Sequence, residues 1–245
     1  MSKTVQQCFK RYEKKYFLTP VQYKLFKEKL MEYVTEDEYP TYTLCNIYYD
    51  TDDYRLIRAS LEKPMYKEKL RVRSYGVPKA DGKVFVELKK KFDGVVYKRR
   101  ITTSPFLAEP FLKGIKPAEN ESQITREIEY FQRFYQAKPK AFIAYDREAY
   151  QGIEDSELRI TFDTNMRYRL DNLKLTAGDY GEPIIDTDEI LMEIKIPGVC
   201  PLWLSRLLNE YKIYSTSFSK YGACYEKHIL ENNRQIFTKE ALLSA

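Results

Sequence analysis

The chain has 245 residues, 43% of them hydrophobic, which suits a globular protein with a full core rather than a disordered one. Its 41 basic and 36 acidic residues leave a net charge of +5, too slight a bias to mark a general nucleic-acid binder, so the placement of the cations matters more than their total. Four cysteines without a CxxC pair and a single histidine, His228, argue against a zinc site and against a histidine-dependent nucleophile.

The N-terminal stretch MSKTVQQCFKRYEKKYF lacks an apolar core of the signal-peptide kind, and no apolar run approaches the ~20 residues of a bilayer span. A cytoplasmic location is expected. Phe9–Phe17 reads as a first strand. Thr19-Pro20 opens a helix, with Thr19 as N-cap, Pro20 at the first helical position and Gln22 closing a capping box. Tyr23, Phe26, Leu30 and Tyr33 give its apolar stripe. Strands follow at Thr43–Asp50, Tyr66–Tyr75 and Lys83–Lys91, and the Asp93-Gly94 hairpin signal returns the chain through Val95–Thr102. Helices are expected near Ser104–Lys113 and over Glu121–Tyr135, where Ile124, Ile128, Phe131 and Tyr135 share a face. Strands resume at Ala141–Tyr150, Glu157–Thr164 and Ile190–Ile196. Pro201–Tyr211 and Ser217–Leu230 read as helices, the last with His228 at a solvent-facing position. The 22 tyrosines suit half-buried strand faces. With no repeat or linker, one domain over residues 1–245 is expected. About eight strands in hairpin-like succession predict an α+β fold, an eight-stranded antiparallel β-barrel with helices packed outside.

Side chains alternate faces along a strand. By that parity Arg11, Glu13 and Lys15 share a face, as do Lys69, Arg71 and Arg73; Glu87 and Lys89; Lys98 and Arg100; Tyr145 and Arg147; and Glu193 and Lys195. Arg159 lies between apolar Leu158 and Ile160. A solvated outer face would alternate in the same way. Two features oppose that reading. The charges are mostly basic and recur on at least five strands, and the opposite faces (Tyr12 and Tyr16, Leu70 and Val72, Val86 and Leu88, Ile194 and Ile196) are apolar and need cover. If helices cover them from outside, the charged faces point into the barrel, which has room for a small ligand. Cations so crowded repel one another. A phosphate chain relieves this, because Arg forks bind phosphate oxygens in pairs. Glu87 and Glu193 either pair with neighbouring cations or hold Mg²⁺ or Mn²⁺ shared with substrate phosphates. If Ser217 or a neighbour caps the last helix, Ser219 and Lys220 fall in its first turn, where they would help hold an anion.

In order along the chain, KRYEKKYFL, NIYYDTDDYRL, KLRVRSYG, VFVELKKK, YKRR, AYDREAY, LRITFDTNM, LMEIKIPG and SFSKY resemble the VTC domain, the polyphosphate polymerase domain of the triphosphate tunnel metalloenzyme (CYTH-like) superfamily. The resemblance spans nearly the whole chain. It implies an eight-stranded tunnel, transfer of the γ-phosphoryl group of ATP to polyphosphate with release of ADP, and a Mn²⁺ or Mg²⁺ cofactor. It implies Lys15, Arg71, Arg73, Lys89, Lys98, Arg147, Arg159 and Lys220 as basic phosphate ligands, Tyr145 and Ser219 as polar ligands, and Glu193 as the metal carboxylate. Lys195 and Glu87 are added by parity. Two positions depart from the pattern. Arg11 replaces the first acid of the E-x-E-x-K strand of related hydrolases, which favours polyphosphate handling over two-metal hydrolysis. Ser217 stands where a second Lys is frequent, which removes one phosphate contact. The alternatives are a triphosphate or nucleoside triphosphate hydrolase on the same tunnel, or a non-catalytic polyphosphate-binding module. Nucleic acid is not an expected partner, since the cations are expected inside.

Overall fold

The computed structural model describes residues 12–93, 95–185 and 188–230. In chain order its elements are β1 (Tyr12–Leu18), α1 (Pro20–Leu30), β2 (Val34–Asp50), α2 (Arg55–Leu61), β3 (Tyr66–Tyr75), β4 (Val84–Phe92), β5 (Val95–Thr103), α3 (Pro105–Leu112), α4 (Gln123–Tyr135), β6 (Lys138–Gly152), β7 (Arg159–Arg169), β8 (Glu182–Pro183), β9 (Ile190–Ile196), α5 (Leu202–Glu210), β10 (Ser215–Thr216) and α6 (Lys220–Cys224). A π-helical turn, Tyr225–Ile229, continues α6.

The class is α+β with an antiparallel sheet, as expected, but the expected eight-stranded closed barrel is corrected on two counts. The sheet has ten strands, hydrogen-bonded in the order β10-β1-β9-β7-β6-β2-β3-β4-β5, with β8 on β7. That path is open: the outer edge of β1 is taken by β10, through Lys15↔Thr216 and Tyr16↔Ser215, and β5 ends the order. The two unforeseen strands, β8 and β10, are two residues long, too short for any alternation to register.

Local signals explain most boundaries. Thr19 caps α1 by accepting from the Gln22 backbone N at 3.2 Å, and the Gln22 side chain accepts from the Thr19 N at 3.0 Å. The β4–β5 turn is the two-residue kind, with Phe92 paired to Val95 and Asp93 at φ 44°. The helix α2 was not foreseen. It starts after Tyr54 in a left-handed conformation without a side-chain cap. Asp50, at the end of β2, supplies the missing acceptor instead, taking the N–H groups of Leu56 and Ile57 at 2.9 and 3.0 Å.

Two compact units divide the chain. In the first (residues 1–43, 145–165 and 186–218), α1 and α5 cover Tyr16, Leu18, Ile160, Phe162, Met192 and Ile194 in one apolar cluster. In the second (residues 44–144, 166–185 and 219–245), α3 and α4 cover Ile47, Leu70, Val72, Val86 and Leu88 in another. Within each unit the helix-covered parity is the apolar one, so the charged parity lies on the opposite side of the strands. No helix among the described residues is long and apolar enough to cross a membrane.

Candidate functional site

The charged face of the second unit centres on Glu87, only 2% exposed. The hairpin register sets Arg71 on β3 and Arg100 on β5 directly across from it. Arg71 grips Oε2 through Nε and Nη2, both at 2.8 Å, and Arg73 Nε stands 3.9 Å from the same oxygen. Lys98 Nζ lies 3.0 Å from Oε1, and Arg100 reaches Oε1 through Nε at 2.8 Å and through a closer Nη2. Burial alone would raise the Glu87 pKa, but Arg71, then Arg73 and Lys98, hold it well below the usual carboxylate range. Both Glu87 oxygens meet cations, as in the reading in which this residue pairs with its neighbours.

The cations are held in turn. Arg73 Nε donates to Asn46 Oδ1 at 2.8 Å, and Asn46, fully buried, donates to the Ile143 carbonyl at 3.0 Å. Arg71 Nη1 donates to the Tyr48 hydroxyl at 3.2 Å, and Tyr48 stacks on Tyr221 with ring centroids 4.8 Å apart. Lys98 is exposed at 47% of its side chain, yet desolvation pushes its pKa down to about 8 despite Glu87, with Arg100 and Arg71 adding to the fall. Lys89 lies on the next rung, between Lys69 and Lys98.

Ser219 and Lys220 also belong to this unit. The cap lies two residues beyond Ser217. Ser219 is itself the N-cap, its Oγ accepting from Gly222 N at 3.2 Å, and α6 is only five residues long. Lys220 is 7% exposed in the first helical position. His228 is half-buried rather than solvent-facing, and stacks on Tyr168 at 4.2 Å.

The charged face of the first unit centres on Glu193, 8% exposed on β9. Lys15 on β1 and Thr161 on β7 are its direct cross-strand partners. Lys15 Nζ approaches Oε1 at 3.4 Å and donates to the Phe218 carbonyl at 2.9 Å. Arg147 Nη2 approaches Oε2 at 3.2 Å. Arg147 is first the partner of Asp163, through Nε–Oδ1 at 2.6 Å and Nη2–Oδ2 at 2.7 Å, and its guanidinium lies 5.3 Å from the ring centre of Tyr145. Burial would lower the Arg147 pKa, but Asp163, then Tyr145 and Glu193, raise it further. Lys195 pairs in register with Glu13 and Arg159, and Arg159 forms a short ion pair with Asp37. Arg11 lies outside the described residues.

Among the described residues no three acidic, histidine or cysteine side chains gather as a metal cage. A substrate-shared Mg²⁺ or Mn²⁺ asks for less: one or two carboxylates, with phosphate oxygens and water filling the rest of the sphere. Glu193 fits that requirement. Beside it, the Thr161 hydroxyl is buried with no hydrogen-bond partner, an oxygen left over on the same face.

Parity found the cations but missed what orients them. Asp163, Asn46, Tyr48 and Thr161 all lie on the charged parity and were within reach of the alternation. Their roles follow from register and burial, which alternation does not give.

The family model of the VTC domain matches residues 10–229. Subunit 4 of the vacuolar transporter chaperone complex of Schizosaccharomyces pombe is 24% identical over 233 residues, 78% of this chain and 32% of that protein. The chain thus spans about a third of the relative's length. Among solved structures, a Hippeastrum protein described as a candidate adenylyl cyclase with a dominant triphosphatase activity matches at TM-score 0.51 and 18% identity, over 87% of this chain and 94% of that one. A candidate adenylate cyclase of Bacillus halodurans has TM-score 0.49 and 16% identity, over 84% and 92%. The fold is thus like that of the Hippeastrum protein. Since the family model takes in most of the chain, from strand β1 through the turn after α6, this protein belongs to the VTC domain family.

Proposed function

We propose that this chain is an ATP-dependent polyphosphate polymerase domain, which transfers the γ-phosphoryl group of ATP to a polyphosphate end and releases ADP. The observation that carries the reading is the crowding of cations around the nearly buried Glu87. Arg71, Arg73, Lys98 and Arg100 surround Glu87, and Lys15 and Arg147 flank Glu193. Four cations against one carboxylate leave the second unit's face positive among the described residues, a charge that a bound polyanion would offset. Family membership and the likeness to subunit 4 of the S. pombe complex support polyphosphate as that polyanion.

In this reading Arg71, Arg73, Lys89, Lys98 and Lys220 bind phosphate oxygens on one face, and Lys15, Arg147, Arg159 and Lys195 on the other, with Tyr145 and Ser219 as polar neighbours. Their task is to position phosphate groups and to offset charge as it develops. A terminal oxygen of the chain end bonds to the γ-phosphorus while the bond from that phosphorus to the β–γ bridging oxygen breaks, and the electron pair leaves with ADP. The acceptor oxygen is already anionic, so no side chain need remove a proton. Glu193, with Thr161 beside it, would hold the divalent cation, which when bound neutralises phosphate charge. The whole chain acts as one domain located in the cytoplasm.

Purified protein given ATP and Mn²⁺ is expected to make acid-labile polymer, and Glu193→Gln to abolish it. Free phosphate without polymer would replace the reading with a triphosphatase, the activity described for the Hippeastrum protein of like fold. Tight polyphosphate binding without ATP turnover would leave a binding module.

A further inference from the structure

Beyond the Glu87 cluster, the charged face of β3, β4 and β5 continues toward the Asp93 hairpin as a ladder of lysines. Lys69 pairs across to Lys89, and Lys89 to Lys98. One rung further, Lys67 pairs with Lys91. Same-face rungs are about 7 Å apart along a strand. Like charges directly opposite each other across strands are destabilising, and here they occur on consecutive rungs.

The other face of the same strands is built differently. There Lys90 lies 3.3 Å from Glu127 and 3.8 Å from Glu68, and Arg99 lies 3.3 Å from Glu127. Every one of those cations has a carboxylate. Among the described residues none forms an ion pair with Lys67, Lys89 or Lys91; Lys67 donates to the Ser60 carbonyl at 3.1 Å. The lysines that guard exposed sheet edges belong on edge strands. In the strand order β3 and β4 are interior, so edge protection does not account for this ladder.

We propose that the rungs Lys69–Lys89 and Lys67–Lys91 form an anion track that continues from the Glu87 cluster toward Asp93 and holds the phosphates of a linear polyphosphate beyond the reach of a triphosphate. The inference rests on the phosphate-binding reading above and adds a length preference to it. Lys67 and Lys91 are the test positions, because they lie farthest from Glu87.

The experiment measures binding of tripolyphosphate and of long-chain polyphosphate at several salt concentrations to the whole chain and to the double variant Lys67→Gln/Lys91→Gln. The intact chain is expected to prefer the long polymer. The double variant is expected to lose about three- to tenfold of long-chain affinity, as two half-buried pairings allow. Its salt slope should fall by about two, one for each cation removed. Tripolyphosphate binding should not change, and Lys67→Arg/Lys91→Arg should restore the long-chain affinity. Equal loss for both ligands, or no loss for either, with unchanged thermal melting, overturns the track while leaving phosphate binding intact. If the unaltered chain binds neither ligand, the phosphate reading fails as well.

Discussion

Glu87→Gln removes the negative charge at the centre of the second unit's charged face and keeps the size and shape of the side chain. Breaking a buried ion pair by deleting one partner costs about 3–5 kcal/mol. The structure places this case near the lower end. Lys98 and Arg100 keep 47% and 34% of their side chains exposed and can turn toward water. Arg73, at 9%, cannot, though Asn46 still satisfies its Nε. A loss of about 3 kcal/mol is therefore expected by urea unfolding, with a fall in Tm of about 2–4 °C per kcal/mol for a chain of this size. Polyphosphate should restore much of the lost stability, since it returns negative charge to the same cations. The pH dependence has a definite sign. The folded pKa of Glu87 is depressed, so its stabilisation is present above the unfolded value of about 4.3 and is lost as pH falls from there through the lower folded value. That acid slope should flatten in the variant. Destabilisation below about 1 kcal/mol, the range of an exposed pair, would refute the claim that Glu87 anchors the face.

Glu193→Gln should behave in the opposite way, with a smaller stability loss because its contacts are 3.2 and 3.4 Å, and a larger loss of polymer synthesis. Thr161→Val deletes an unsatisfied buried hydroxyl and should raise stability by about 1 kcal/mol while raising the Mn²⁺ concentration needed for turnover; a fall in stability would show that the hydroxyl has a protein partner. Phosphate affinity should fall as pH rises through about 8, where Lys98 loses its proton, and Lys98→Arg should remove that fall in a binding titration. Arg147→Ala leaves the Asp163 carboxylate buried without its bidentate partner, and should cost about 3–5 kcal/mol by chemical unfolding.

Much of this was legible in the chain itself. The alternation Lys69-Leu70-Arg71-Val72-Arg73 separates a charged face from an apolar one, and the apolar members are the ones that pack in the core. Thr19, Pro20 and Gln22 marked the start of α1, and Asp93-Gly94 marked the hairpin. The losses have physical causes. The helix α2 was invisible because its capping carboxylate, Asp50, belongs to the preceding strand. The strand β2 begins at Val34, but its first half, TEDEYPTY, is polar and carries a proline, so no alternation announces it. The grip of Arg147 on Asp163 depends on which strands lie side by side, a long-range property that local periodicity does not contain.

The two-residue turn between Phe92 and Val95 has an evolutionary consequence. Strand pairing works like a reading frame with a period of two. One residue inserted in that turn would slide β5 by a single step against β4, turning Lys98 and Arg100 toward the helices and Arg99 toward the Glu87 side. A length change of one residue would thus rewrite the charge pattern of a whole strand. Length changes at this turn should survive among descendants of this gene only in even numbers.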